Sequence, residues 1–178
     1  SEKFTELLLI QSGNKKIATK PTKPKTLLLN ATLLEVAFCP EDSCAQKVVR
    51  ELRKANSSIY FAAFSFTHPA IANELVVKAS EGIAVKGVVE GRNANHPYSK
   101  YEALLANGVE VRKEDSKALM HHKLFIIDNA TVLTGSFNPT KNADERNDEN
   151  ILIIRNKDLS ALYAANFEQL FQAIKKQG

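Results

Sequence analysis

A chain of 178 residues, 44% hydrophobic and 25% charged, has the size and balance of one globular domain with a single core and a short extension. No apolar run approaches the ~18 residues that span a bilayer; Leu7 to Ile10 is far too short, and Leu27 to Phe38 is broken by Asn30, Thr32 and Glu35. The net charge of +4 has one source: residues 14–26 hold five lysines and no acid, and removing those five from the 24 basic residues leaves 19 against 20 acidic ones.

That segment carries Lys15, Lys16, Lys20, Lys23 and Lys25 around two prolines. It reads either as a solvated linker or as an arm that attracts phosphates without regard to sequence. It divides the chain into an N-terminal extension, 1–26, with weak signals for a strand or helix, and a domain, 27–178. The first residue is Ser rather than Met, which is compatible with a trimmed leader or a membrane anchor.

Residues 33–38 read as a strand stopped by Cys39-Pro40. Ser43, with Gln46 three residues on, predicts a capped helix to about Asn56, with Cys44, Val48, Val49 and Leu52 on its apolar stripe. The run SIYFAAFSF, 58–66, suits a central strand buried on both faces, with Phe61, Phe64 and Phe66 in the core. Thr67 then caps a helix with Pro69 in its first turn and Gly82 at its end. Residues 84–90 form a second core strand, and a loop over 91–97 leads to a short helix, 99–106. The Asn107-Gly108 turn precedes a strand over 109–112. Strands over 121–127 and 130–134 join at Asp128-Asn129, and 149–154 makes a last strand. Residues 157–176 form an amphipathic helix burying Leu159, Leu162, Ala165, Phe167, Leu170 and Ile174. Strands alternating with helices indicate an α/β fold, a mixed central sheet with helices on both faces. No internal repeat is present. Cys39 and Cys44 read as a disulfide across a short turn in an oxidising compartment, or as two reduced, partly buried thiols.

The chemistry concentrates in residues 121–150. His121 and Lys123, two apart on a strand, project from one face, and His122 from the other. The next strand delivers Gly135, which lets backbones approach, followed by Ser136 and Asn138 on alternate positions. An imidazole, an ammonium, a hydroxyl and an amide converge there without a carboxylate pair to hold a metal. Such a set can hold a phosphate and attack it.

The pattern H-x-K-x4-D-x6-G-S-x-N, formed by His121, Lys123, Asp128, Gly135, Ser136 and Asn138, resembles the HKD motif of the phospholipase D superfamily. With FCPEDSC at 38–44, the strand at 58–66 and the strand at 85–89, residues 33–175 resemble its single-motif bacterial endonucleases. The resemblance implies a phospholipase D-like fold, no cofactor and no metal. It implies that His121 attacks phosphorus and that a second His121, from a paired subunit, protonates the leaving oxygen. It assigns Lys123, Asn138 and Ser136 to the phosphate, and Glu149 to a hydrogen bond that fixes the imidazole tautomer. Asp128 and Gly135 are structural. One motif per chain therefore implies a homodimer with a composite site.

The expected substrate is DNA or RNA, cut without sequence preference; a cardiolipin-type phospholipid is the alternative. A membrane contact through a trimmed N-terminus and a periplasmic or secreted location go with that resemblance. The five lysines, His68, Arg92 and Tyr98 are the candidate substrate contacts. For His68, a helix-cap role is equally open. Tyr101 is a second stacking candidate, His96 a solvated loop residue or a substrate contact, and His122 a packing residue or a support for the site residues. Asp144, Glu145 and Asp148 read as solvated loop acids lacking EF-hand spacing.

Overall fold

The computed structural model describes residues 25–174. Lys15, Lys16, Lys20 and Lys23 lie outside them. The strands are β1 (Lys25–Leu29), β2 (Thr32–Cys39), β3 (Ser58–Ala63), β4 (Ala84–Glu90), β5 (Glu110–Glu114), β6 (Lys123–Ile127), β7 (Thr131–Gly135) and β8 (Glu149–Arg155). The helices are α1 (Cys44–Leu52), α2 (Pro69–Ser80), α3 (Gly91–Ala94), α4 (Tyr101–Ala106), α5 (Lys141–Glu145) and α6 (Lys157–Ala173).

All eight strands form one sheet in the order β1-β2-β8-β7-β6-β3-β4-β5. β3, β4 and β5 are parallel, and every other neighbouring pair is antiparallel. The apolar run of β3 is central because β4 and β6 flank it and helices cover both of its faces. On one face α1, α2 and α4 pack Val48, Leu52, Leu75 and Leu104 over Phe61 and Phe125. On the other, α6 packs Phe167 and Phe171 over Ile126 and Val132, with Tyr60 stacked on Phe167 at 5.1 Å. Asp128 and Asn129, both at positive φ (53° and 47°), make the tight turn whose twist suits a β6–β7 hairpin.

Several boundaries move for tertiary reasons. β1 starts at Lys25, so the sheet reaches two residues into the segment read as an extension, and its pairing with β2 runs from Lys25–Val36 to Leu29–Thr32. Ser43 does not cap α1: its backbone is left-handed (φ 53°, ψ 63°), which turns the hydroxyl away from the helix amides. The Ala45 amide donates instead to Asp144 Oδ1 at 2.8 Å. α1 stops at Leu52 because Asp128 accepts the amides of Asn56, Ser57 and Ser58 just beyond it. His68, not Thr67, precedes α2, and the amides of both donate to the Pro139 carbonyl at 2.9 Å.

The segment read as a loop after β4 contains α3, where the Glu90 carboxylate accepts the Asn93 amide. In α6 the buried line is Ser160, Ala164, Phe167 and Phe171. Leu162 is 69% exposed and Ala165 is also exposed. The seating of the two phenylalanines sets the helix phase, and Leu162 falls on the opposite side. Cys39 and Cys44 are joined in a disulfide that ties the end of β2 to the start of α1.

Candidate active site

The site forms where β3 ends and β6 begins. The Phe64 amide donates to the His122 carbonyl at 2.8 Å, so the chain just past β3 runs beside residues 121 and 122, which precede β6 rather than belong to it. Lys123 is the first residue of β6, opposite Ala63. Its Nζ lies 3.2 and 3.3 Å from the two ring nitrogens of His121 and donates to the His121 carbonyl at 2.9 Å. The Phe64 ring sits 4.4 Å from the His121 ring and 5.2 Å from Lys123 Nζ. Phe64 is thus a wall of the site and not a core residue. The sequence signal for this was its place at the end of a strand run. Phe61 and Phe66 are buried as expected.

β7 brings the remaining groups to the same end of the sheet. Gly135 stands at φ +150°, and a Cβ there would run into the Asn150 carbonyl. Only glycine lets β7 and β8 close at this point. The Ser136 hydroxyl accepts from the Asn150 amide at 3.1 Å, which holds the turn leaving β7 against the start of β8. Asn138 follows, half-buried, with its side-chain carbonyl oxygen buried and without a hydrogen-bond partner among the described residues.

The Glu149 carboxylate does not meet His121 within the chain; it accepts from Asn147 Nδ2 at 3.1 Å. The group in contact with the imidazole is Lys123. Burial pushes the Lys123 ammonium below the ordinary lysine range, and the Glu149 charge opposes that shift.

Two residues act away from the reacting groups. Asp128, at the far end of β6, accepts from the amides of Asn56, Ser57 and Ser58 and from the Ser57 hydroxyl, at 2.8–2.9 Å. Burial alone would raise its carboxyl, but these donors more than reverse that and hold it below its ordinary range. His68, 8% exposed, lies 3.7 Å from Asp144 through Nε2 and has a buried Nδ1 with no partner among the described residues. It is not at the substrate rim. Asp144, read as a solvated acid, is an interior anchor between His68 and the first turn of α1. Burial raises its carboxyl, and the His68 and Ala45 hydrogen bonds bring it below the ordinary value.

A cavity of about 780 Å³ opens from Phe64 and Asn138. Ser65, Thr67, Thr140, Asn93, Asn142, Asn147, His96, Tyr98, Lys100 and Lys141 line it, and no acidic residue is among the described lining. His96, read as solvated, lines this cavity. Tyr98 is exposed along it, whereas Tyr101 is 1% exposed beneath Lys113 and is no stacking surface. Arg92 is exposed on α3, outside the lining, and the Lys25 side chain is not among those described.

Residues 48–171 match the family model described as cardiolipin synthase, PLD-like domain. The chain belongs to the phospholipase D family. It is accordingly a phosphodiesterase of that superfamily. Phospholipase D of Rickettsia conorii is 30% identical over 139 residues, 78% of this chain and 70% of that one. Mitochondrial cardiolipin hydrolase of Xenopus tropicalis is 33% identical over 137 residues, 75% of this chain and 65% of that one. Among solved structures, Nuc from Salmonella typhimurium, a phospholipase D family member, superposes with a TM-score of 0.76 at 30% identity, over 82% of this chain and 98% of that one. The mixed eight-stranded sheet with helices on both faces is therefore the phospholipase D-like fold. Its His-x-Lys pair stands where β6 enters the sheet and the Gly-Ser-x-Asn turn where β7 leaves it.

Proposed function

We propose that this phospholipase D family chain is a metal-independent nuclease acting through a phosphohistidine, with one site shared by two copies of the chain. The observation that carries the reading is the character of the cavity beside His121. Its lining of amides, hydroxyls, two lysines and two exposed rings, without a carboxylate, suits a nucleic-acid strand better than acyl chains. The Nuc structure, at 30% identity, supports it.

In this reading the phosphodiester displaces Lys123 from the His121 ring and takes its ammonium onto a non-bridging oxygen. Asn138 meets the same phosphate. One imidazole nitrogen of His121 forms the bond to phosphorus as the P–O bond to the leaving alkoxide breaks. The partner's His121 gives that alkoxide its proton. It then takes one from water, whose oxygen displaces the first imidazole and regenerates the free ring. Two imidazoles on opposite sides of phosphorus are needed, and each chain supplies one such His-x-Lys set, which is the reason for proposing a two-fold dimer.

The test is hydrolysis of labelled single-stranded DNA, duplex and RNA in excess EDTA. Activity is expected to persist with chelator, and His121→Ala to lower kcat roughly 10³-fold or more. Loss of wild-type activity with EDTA would sink the proposal.

A second reading keeps the chemistry and changes the substrate to an anionic phospholipid. Two observations favour it: relatives at 30–33% identity are named phospholipase D and cardiolipin hydrolase, and Leu27, Leu28 and Leu29 of β1 are 58–75% exposed. Cardiolipin vesicles assayed beside the oligonucleotides separate the two.

A further inference from the structure

The Phe64 ring, which lies against His121 and Lys123, is also a wall of the neighbouring trough. Along that trough the His96 and Tyr98 rings lie 5.6 Å apart, tilted by 44°. Tyr98 is 74% exposed, yet its backbone is fixed. The Tyr98 amide donates to His96 Nδ1 at 3.3 Å, the Ser99 amide to the His96 carbonyl at 2.8 Å, and the Lys100 amide to the Phe66 carbonyl at 2.9 Å. Because His96 Nδ1 accepts, the neutral ring carries its hydrogen on Nε2, a donor left over for a ligand.

A large aromatic ring held bare on a fixed loop is a stacking surface, and its surroundings say for what. Lys100 lies two residues on, Lys141 and Asn93 line the same trough, and no acid does. An acyl chain here would cover the two lysine ammonium groups without giving them a partner, at a cost. A purine or pyrimidine offers a π-face to Tyr98, edge acceptors and donors to the amides, and a phosphate to the lysines. A base inside a duplex has both faces covered by its neighbours and cannot lie on that ring.

We propose that the His96–Tyr98 loop with Lys100 is a subsite for one unpaired nucleotide flanking the scissile phosphate, which makes single-stranded nucleic acid the preferred substrate. This rests on the nuclease reading above.

The test uses an oligonucleotide with one cleavable linkage, its other linkages methylphosphonate, flanked either by bases or by abasic sugars. Bis(p-nitrophenyl) phosphate and cardiolipin vesicles are run beside it. The wild type is expected to favour the base-flanked substrate, and Tyr98→Ala to shrink that preference about tenfold, within the range for loss of one base–aromatic stack. Tyr98→Phe keeps the ring and is expected to keep the preference. On an oligonucleotide with ordinary phosphodiester linkages throughout, Lys100→Ala is expected to raise KM and to flatten its salt dependence. If the wild type cuts base-flanked and abasic substrates alike, or Tyr98→Ala retains the full preference, the subsite is wrong while the nuclease stands. If vesicles or the small diester are hydrolysed and no oligonucleotide is, the nuclease reading fails and this proposal with it.

Discussion

The Lys123 ammonium lies against the His121 ring, with Nζ within 3.3 Å of both ring nitrogens. In the proposed mechanism a substrate phosphate competes for that ammonium and uncovers the ring, which gives Lys123 two tasks, shielding His121 and binding the phosphate. Burial holds the Lys123 pKa down and Glu149 holds it up. The alkaline limb of the pH–rate profile is therefore expected below the ordinary lysine value of about 10.4. Glu149→Gln removes the raising influence and is expected to move that limb lower still. A limb that stays put in the variant would separate Glu149 from Lys123. Asp128 acts on stability instead. Its folded pKa is depressed, so its contribution is whole above the unfolded carboxyl value of about 3.9 and is lost as pH falls through the folded one. Asp128→Ala is expected to cost about 2 kcal/mol in urea unfolding at pH 7, and less at pH 3. That His121, Lys123, Ser136 and Asn138 come to one end of the sheet could be read because they stand at short, fixed spacings where two adjacent antiparallel strands begin and end. Phe64 and Asp144 were not, since their partners come from remote segments; Asp144 and Ala45 are 99 residues apart.

At the scale of elements, the sequence pattern located β2 to β8 and the four longer helices but not α3 or α5, and tertiary hydrogen bonds set their ends. The Asp128 carboxylate claims the amides after α1, and the Pro139 carbonyl claims those before α2. No local capping rule contains either acceptor. β1 was missed because a run of leucines beside a Lys- and Pro-containing segment lacks the alternation that marks a half-buried strand. The cysteine pairing was open in the sequence, where C-x4-C fits thiol or disulfide alike. Closing so short a loop restricts the unfolded chain modestly, so Cys44→Ala is expected to lower stability by about 2 kcal/mol. Denaturant unfolding of wild type and variant, each with and without reductant, checks this; reductant should move only the wild type. Gly135→Ala meets the Asn150 carbonyl and a backbone angle that alanine resists. It is expected to part the ends of β7 and β8, displace Ser136 and Asn138, and lower kcat at least tenfold. A normal kcat with normal stability would show that the site tolerates the gap.

Taken whole, the molecule gathers one His-x-Lys set, one Gly-Ser-x-Asn turn and one acid-free trough at a single end of its sheet. Light scattering is expected to give the mass of two chains. Titrating wild type with His121→Ala protein is expected to reduce activity more steeply than dilution, because hybrid pairs lack one of the two imidazoles. A fully active monomer would overturn the shared site. The fold class was readable from the strand–helix alternation, while the length of the sheet was not, since its outermost strand lay in the segment with weak signals. That strand has a consequence of its own. At the opposite margin β5 carries Glu110, Arg112 and Lys113, charges of both signs that discourage a stranger from pairing. At the β1 margin Lys25 and Thr26 lead into three leucines that are 58–75% exposed, so the apolar stretch of this rim is its far half. If those exposed leucines make copies associate, Leu28→Lys is expected to lower the light scattered by concentrated solutions, and unchanged scattering would clear the rim.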